Sequence, residues 1–359
     1  MTKNHFIIPI FVPHEGCPHN CVFCNQNSIT GNNVIKVDAE YVKNIVEEYL
    51  KTIPKNNRIL EISFFGGTFT AIDIKKQIEL LEVAKYYKDL GIINFIRLST
   101  RPDYINIDIL SNLKKFSVDI IELGVQSLDM EVLIKSGRGH NLQDVIEASN
   151  LIKKFGFTLG HQIMIGLPGD NFDKDIKTIK KLIEISPDIC RIYPALVIKN
   201  TPMELMYNKG EYKPYTLEET IYITKILYGM LIAAGINIIR IGLQPTKEIN
   251  IDGDIVSGPF HPAFRELIEG SILNDIIKEN IILCRDKEFI IHINSKDISK
   301  LYCNKKIFFN DTKRQFTTIN IKVIQNNQLN RGEIILECKQ FCKKTSIYEY
   351  ALLKYKEGF

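Results

Sequence analysis

The chain has 359 residues, of which 45% are apolar, and its formal net charge is +4. This composition excludes an intrinsically disordered protein, because enough apolar side chains are present to bury one large core. No stretch approaches the roughly 18 consecutive apolar residues of a membrane span, and the N-terminus lacks the features of a signal peptide. We therefore expect a cytoplasmic globular protein without membrane association, in which clustered cysteines are metal ligands or catalytic thiols rather than disulfides.

Strand-like and helix-like segments alternate through the first 245 residues. Runs that favour β-structure occupy residues 59–65, 94–99, 119–125, 159–166 and 189–197. Amphipathic helices are predicted between them, for example over 144–155 and 173–185. Such alternation implies parallel strands joined by right-handed crossovers. About six units fit, so the predicted fold class is α/β, with a partial (β/α)6 barrel of the TIM type instead of a complete eight-stranded one.

The pattern changes near the C-terminal end of the chain. EFIIHI (288–293) and FTTINIKVI (316–324) are predicted strands without regular alternation, and a last helix is predicted over 346–355. We therefore predict a barrel domain over 1–270 and a small α+β accessory domain over 271–359. Residues 281–359 contain 15 Lys and Arg against 8 Asp and Glu, so the second domain is basic. A basic face attracts phosphates, although an ordinary solvated surface has a similar composition.

Three of the eight cysteines fall within GCPHNCVFC (16–24). Cys17, Cys21 and Cys24 follow the spacing CxxxCxxC. Zinc usually takes four ligands, and no second CxxC or HxxxH lies nearby. Three thiolates suit a [4Fe–4S] cluster, because they leave one iron open to a small molecule. Three unrelated buried cysteines are the alternative interpretation.

The cysteine spacing resembles that of the radical S-adenosylmethionine (SAM) superfamily. This resemblance implies that the amino and carboxylate groups of SAM chelate the open iron. It also implies that reductive cleavage of SAM yields a 5′-deoxyadenosyl radical, with a low-potential electron donor of the flavodoxin or ferredoxin type.

A glycine-rich stretch supports the same resemblance. FFGGTFT (64–70) follows a predicted strand, and its glycines let backbone groups approach a ligand without obstruction. The superfamily contacts the SAM amino group at this point, which implies Gly66, Gly67 and Thr68 as cofactor-binding residues. A tight turn between a strand and a helix would use the same glycines.

Four further segments resemble the Elongator catalytic subunit and oxygen-independent coproporphyrinogen oxidase. They are LSTRPDYI (98–105), ELGVQSLD (122–129), SGRGH (136–140) and IMIGLPGD (163–170). By this resemblance, SAM contacts are expected at Ser99, Gln126, Ser127, Arg138 and Gln162, with roles in turns and helix caps as the alternative. Ser99 stands where relatives commonly have Glu, and Gln162 where coproporphyrinogen oxidase has Asp. The resemblance covers about residues 6–270 and is closest to the Elongator branch.

The remaining reactive side chains allow more than one interpretation. Tyr193 ends the last predicted barrel strand and is the candidate catalytic residue. Cys190 is expected in the core, and His161 and His261 are structural or face the substrate cavity. Cys338 and Cys342 have the spacing of one helical turn. With Cys284 and Cys303 they would hold an auxiliary cluster or zinc, or else all four are separate thiols.

These motifs favour a radical SAM enzyme that abstracts hydrogen from an unidentified substrate, with tRNA or another anionic molecule as the candidate. A decarboxylase similar to coproporphyrinogen oxidase is the second hypothesis, and a non-catalytic sensor that binds a cluster and SAM is the third. No acetyl-CoA loop is recognisable after residue 281. Carboxymethylation of tRNA is therefore not implied.

Overall fold

The structure, a computed structural model, describes residues 4–12, 17, 19–25, 36–246, 249–250 and 252–356. By internal contacts the chain divides into two compact units. The first unit contains residues 1–215 and 243–260, and the second contains residues 216–242 and 261–359. The division of the chain into functional domains at residue 270 stays a prediction.

Six strands of the first unit pair side by side, all parallel. They are β1 (His5–Val12), β2 (Ile59–Gly66), β3 (Phe95–Thr100), β4 (Ile120–Gln126), β5 (Thr158–Ile165) and β6 (Ile189–Pro194). Each pairs with the next one in the chain, so the strand order follows the sequence. The sheet curls into part of a barrel. The predicted partial barrel is confirmed.

Helices connect these strands, as parallel pairing requires. The helices of the first unit are α1 (Ala39–Thr52), α2 (Ile74–Asp89), α3 (Ile107–Lys115), α4 (Met130–Lys135), α5 (Leu142–Lys154), α6 (Phe172–Ile185) and α7 (Pro202–Asn208). Polar caps fix where several begin. Before α5, for example, the Asn141 and Asp144 side chains each accept a hydrogen bond from the backbone of the other residue.

The two faces of the parallel strands differ in polarity, because side chains alternate along a strand. One face is apolar and buried, with Ile62, Leu98 and Leu123 less than 1% exposed. His161 lies on this face and contacts Ser149 of α5, so it is a structural histidine. Cys190 is also fully buried here, as expected. The opposite face, toward the barrel interior, carries a set of charged and polar groups: Glu61, Arg97, Glu122, Gln162 and Arg191.

The second unit combines helices with a mixed sheet. Short strands β7 (Val197–Ile198) and β9 (Ile255–Ser257) still belong to the first unit, whereas β8 (Asn237–Ile241) belongs to the second. The other elements of the second unit are α8 (Leu217–Ala233), α9 (Phe264–Ile281), β10 (Glu288–Ile293), α10 (Ile298–Leu301), α11 (Ile307–Gln315), β11 (Asn320–Gln325), β12 (Glu333–Cys338), β13 (Phe341–Ser346) and α12 (Ile347–Tyr355). Four strands pair in the order β11-β10-β12-β13, which confirms the α+β class. None of the helices in the described part of the chain combines the length and apolar character needed to cross a bilayer.

Cys338 and Cys342 do not lie on one turn of a helix, so the prediction from their spacing is wrong. Cys338 ends β12 and Cys342 lies in β13, and the two strands form an antiparallel hairpin. Residues 333–338 (EIILEC) contain two adjacent β-branched isoleucines, which favour a strand over a helix, and only residues 339 and 340 separate the two strands. Cys338 pairs with Phe341 across the hairpin, and Cys342 with Glu337.

Replacement of Gly66 by Ala will destabilise the first unit. Gly66 has φ of +111°, and a Cβ atom there would lie 2.3 Å from the carbonyl oxygen of Val12. Backbone strain and overlap together should lower the free energy of unfolding by about 3 kcal/mol. Gly91 is the control, because it has φ of +69° and a Cβ atom there would meet nothing within 4 Å. Gly91→Ala therefore measures backbone strain without steric overlap, and it should lower the free energy of unfolding by about 1 kcal/mol. Equal losses for both variants in urea denaturation would contradict this account.

Candidate functional site

Several of the predicted site residues lie at or after the carboxyl ends of the parallel strands. The cysteine loop follows β1, the glycine pair ends β2, and Gln126 ends β4. In parallel α/β folds the carboxyl edge of the sheet is where ligands bind, because the loops there converge. This edge is the candidate functional site.

The cysteine loop is anchored by backbone hydrogen bonds on both sides. Val22 N donates to the Ser136 carbonyl oxygen at 3.1 Å, and Met203 N donates to the Val22 carbonyl oxygen at 2.9 Å. Cys24 N donates to the Cys21 carbonyl oxygen at 3.0 Å, which closes a turn between two of the predicted ligands. The Cys21 side chain is 5% exposed. The protein therefore holds this thiol inside the fold.

Arg138 joins the cysteine loop to the barrel. Its Nη1 donates to Cys21 Sγ at 3.3 Å, and its Nη2 donates to the Gly124 carbonyl oxygen. Its Nε is buried and has no hydrogen-bond partner among the described residues. A buried guanidinium with an unused N–H is suited to binding an anionic group such as a carboxylate.

The loop around Arg138 packs tightly against the cysteine loop. Gly139 has φ of +76°, and a Cβ atom there would lie 2.3 Å from the His19 ring. Arg101 Nη2 donates to the Arg138 carbonyl oxygen. Arg101 also forms a two-point ion pair with Asp103 at 2.9 and 2.8 Å. These contacts fix the position of the Arg138 backbone.

The glycine pair brings the backbone of β2 close to β1. Gly67 N donates to the Val12 carbonyl oxygen at 3.0 Å. Thr68 is 2% exposed and leads into a short 3-10 turn (Phe69–Ala71). The hydroxyl of Thr70 lies 2.6 Å from that of Thr100 at the end of β3. The turn after β2 is therefore tied to the neighbouring strand.

Gln126 and Gln162 are brought together. Gln162 Nε2 donates to Gln126 Oε1 at 3.0 Å. Gln126 has φ of +65°, and the strand register shifts between Gly124 and Gln126. A residue other than glycine with positive φ is strained, and such residues are common at ligand sites. The bulge turns the Gln126 side chain out of the regular strand pattern.

Two of the residues predicted to contact SAM, Ser127 and Ser99, have surroundings that differ from those of Arg138 and Gln126. The Ser127 hydroxyl lies 3.3 Å from Thr178 Oγ1 on α6 and accepts a hydrogen bond from Asp129 N, so it is directed to the helices. Ser99 is half-buried and lies opposite Glu122 in the register of β3 and β4. Among the described residues, neither Ser127 nor Ser99 forms a hydrogen bond to the cysteine loop.

A buried network of charges lies in the barrel interior, and the sequence motifs did not reveal it. Arg97 Nε lies 2.6 Å from Glu61 Oε1, and its Nη1 donates to Glu122. Arg191 Nε donates to the same Glu122 oxygen at 3.0 Å. Arg191 Nη1 donates to the hydroxyl of Tyr193, the predicted catalytic residue, at 3.3 Å. Two carboxylates and two guanidiniums therefore neutralise one another, and Tyr193 is connected to them.

The turn after β5 contains a half-buried carboxyl group. Asp170 accepts hydrogen bonds from Gly166 N at 3.1 Å and Asn171 N at 2.9 Å. Burial raises the pKa of Asp170 to about 6 against the lowering effect of these bonds. Tyr212 donates to the Gly166 carbonyl oxygen at 2.6 Å, which fixes the same turn from the other side.

The cysteine loop has the donor chemistry that a thiolate-bound cluster requires. Three thiols lie in one loop, and one of them is hydrogen-bonded to a guanidinium, as suits an iron–sulfur cluster. In the described part of the chain, no three His, Cys, Asp or Glu side chains converge closely enough to hold a metal ion. The cluster assignment therefore rests on the thiol chemistry and spacing, not on a preformed cage.

Comparisons with known proteins agree with this fold. A profile of the radical SAM superfamily matches residues 11–183, and a profile of the Radical_SAM C-terminal domain matches residues 187–273. An uncharacterised protein of Methanocaldococcus jannaschii is 32% identical over 62% of this chain and 70% of its own length. A tRNA uridine(34) acetyltransferase of the same organism is 30% identical over 60% of this chain and 47% of its own length. The chain thus spans about half the length of that relative.

The solved structure of the archaeal Methanocaldococcus infernus Elp3 has the same fold. It aligns with a TM-score of 0.60 and 20% identity, over 94% of this chain and 74% of that one. The fold and the two matching profiles together define a partial-barrel enzyme of the radical SAM type. The chain belongs to the radical SAM superfamily, and its relatives include the Elongator catalytic subunit and the tRNA uridine(34) acetyltransferases. Enzymes of this superfamily use a [4Fe–4S] cluster and SAM.

Proposed function

We propose that the protein cleaves SAM reductively and uses the radical to abstract hydrogen from a nucleoside of tRNA. The observation that carries this proposal is the Arg138 contact with Cys21, because it joins the predicted cluster ligand to the predicted SAM contact in one hydrogen bond of 3.3 Å. When bound, the cluster and SAM supply a 5′-deoxyadenosyl radical at the carboxyl edge of the barrel. A flavodoxin-type or ferredoxin-type protein is the proposed electron donor.

The chain's own residues bind and orient the cofactors in this proposal. Cys17, Cys21 and Cys24 would hold three irons and leave one open. Gly66 and Gly67 present unobstructed backbone for the amino end of SAM. The free Nε of Arg138 is available for the SAM carboxylate. Holding SAM beside the cluster would make electron transfer from the cluster to SAM an intramolecular step instead of a bimolecular encounter.

Glutamine side chains offer further polar contacts. Gln162 and Gln126 form a hydrogen-bonded pair, and each amide retains groups that can bind the ribose or base of SAM. Tyr193 is held by Arg191 in the barrel interior, where a substrate atom would meet the radical. We propose Tyr193 as the catalytic residue that contacts substrate there.

Two observations support tRNA as the substrate class. A relative at 30% identity is a tRNA uridine(34) acetyltransferase. Residues 281–359 carry 15 basic against 8 acidic side chains, and a basic surface favours binding to a phosphate backbone. The proposal is limited to the radical step and does not include acetyl transfer.

Isotope transfer tests the substrate. Anaerobic protein with SAM and dithionite should incorporate deuterium into 5′-deoxyadenosine when tRNA with deuterated ribonucleosides is supplied. Unlabelled tRNA is the control for background exchange. If SAM is cleaved at full rate but no deuterium is transferred from any tRNA, the substrate assignment is wrong while the SAM chemistry stands.

A further inference from the structure

Two of the four cysteines in the second unit have clear structural settings. Cys303 is buried, and a Cβ atom at Gly270 of α9 would lie 2.3 Å from its sulfur, so this thiol fills a tight contact with the helix. Cys342 is exposed and pairs with Glu337 across the β12–β13 hairpin. Because side chains alternate along a strand, Cys342 and Glu337 share one face of the hairpin and Cys338 projects from the other. The spacing of Cys338 and Cys342 therefore does not make them partners.

The other two thiols share one hydrogen-bond acceptor. Cys338 Sγ lies 3.1 Å from Gln340 Oε1, and Cys284 Sγ lies 3.9 Å from the same oxygen. Cys284 follows α9, and its backbone N donates to the Ile281 carbonyl oxygen at 2.9 Å. Two free thiols from segments that are distant in sequence, Cys284 and Cys338, therefore lie near the same side-chain oxygen of Gln340.

We propose that Cys284 and Cys338 form a dithiol modification site, which is converted to a reversible intramolecular disulfide by a small disulfide such as glutathione disulfide. The sulfur of Cys338 attacks the small disulfide, forms a mixed disulfide and releases one small thiol. The sulfur of Cys284 then attacks the Cys338 sulfur and releases the second small thiol. The two protein thiols lose two electrons and two protons, which reduce the small disulfide to two thiols.

The order of attack follows from the surroundings of the two sulfurs. Cys338 is the more exposed of the pair, so the small disulfide reaches it first. Cys284 is buried, and burial raises the pKa of its thiol. Fewer Cys284 thiols are therefore in the reactive thiolate form, so Cys284 is the poorer nucleophile for the first step. The product would link the end of α9 to the β12–β13 hairpin. We expect this link to raise the melting temperature of the oxidised protein by about 5 °C.

Tryptic mapping tests this proposal directly, because the four cysteines fall in four different tryptic peptides. They are ENIILCR (279–285), LYCNK (301–305), GEIILECK (332–339) and QFCK (340–343). The reconstituted full chain is incubated anaerobically with glutathione disulfide, its remaining thiols are alkylated, and the digest is analysed without reductant. The expected major product is 279–285 linked to 332–339, which disappears on reduction.

Serine variants separate this site from non-specific oxidation. Cys284→Ser should leave Cys338 as a stable glutathione adduct, whereas Cys342→Ser should leave the link intact. A dominant link between 332–339 and 340–343, or four independent glutathione adducts in the unmodified sequence, would overturn the proposal. Iron content measured on the same samples shows separately whether the cluster site is intact, so this result does not depend on the proposed reaction.

Discussion

Cys21→Ala will abolish iron binding by the reconstituted protein. Cys21 is the buried member of the cysteine loop and receives the hydrogen bond from Arg138, so its loss removes both a ligand and the contact that holds the loop. We expect about four irons per chain in the parent protein, with broad absorption near about 400 nm, and almost none in the variant. Iron and sulfide analysis after anaerobic reconstitution measures this.

Cys342→Ser is the matched control for iron binding, because it removes an exposed thiol from the second unit. Its iron content should equal that of the parent. A Cys21→Ala variant with the full complement of iron would show that the cluster is held elsewhere. About eight irons in the parent would restore the auxiliary-cluster hypothesis for the second unit.

Glu122→Gln will destabilise the first unit strongly. Glu122 accepts from both Arg97 and Arg191, and all three side chains are largely buried. Neutralising the carboxylate removes the charge that both Arg97 and Arg191 contact, and breaking a buried charge pair in this way typically costs about 3–5 kcal/mol. The free energy of unfolding from urea denaturation should fall by this amount.

Glu131 provides the matched control for burial. Its carboxylate also accepts from two basic side chains, Lys135 and Lys174, but it is exposed. Solvent screens such pairs, so Glu131→Gln should leave stability almost unchanged. If the two variants lose similar stability, the interior network contributes no more than a surface ion pair.

The fold was largely predictable because local patterns determined it. The run predicted over 59–65 became Ile59–Gly66, and the predicted strand EFIIHI is the strand Glu288–Ile293. The strand predicted over 189–197 instead ends at Pro194, and Val197–Ile198 forms a separate short strand that pairs with β9. Proline lacks the backbone N–H that would continue the ladder, so the interruption follows from a residue visible in the sequence.

The interior network was not predicted, because it depends on contacts between strands. Glu61, Glu122 and Arg191 are each the single charged residue of their strand, and only the parallel register places them together. A single charged residue inside a buried strand was the available signal. The shared contact of Cys284 and Cys338 with Gln340 was hidden for the same reason, since the spacing of Cys338 and Cys342 suggested a different pair.

For the site residues, the sequence motifs located the segments but not the contacts of each side chain. The motifs identified Arg138 through resemblance, but its hydrogen bond to Cys21 follows from the loop Ser136–His140 folding back on the cysteine loop. Ser127 was named from the same segment as Gln126, yet its hydroxyl contacts α6. A motif locates a segment at the site but does not determine which way each side chain points.

The most direct test of the central claim is the formation of 5′-deoxyadenosine. The protein with a full cluster is incubated anaerobically with SAM and dithionite, and 5′-deoxyadenosine and methionine are quantified by chromatography. We predict both products in equal amounts, and their loss in Gly67→Val with iron content retained, because a side chain there would obstruct the methionine end of SAM. A fully loaded, reduced protein that forms no 5′-deoxyadenosine, even with tRNA or cell extract present, would contradict the radical SAM assignment of this site.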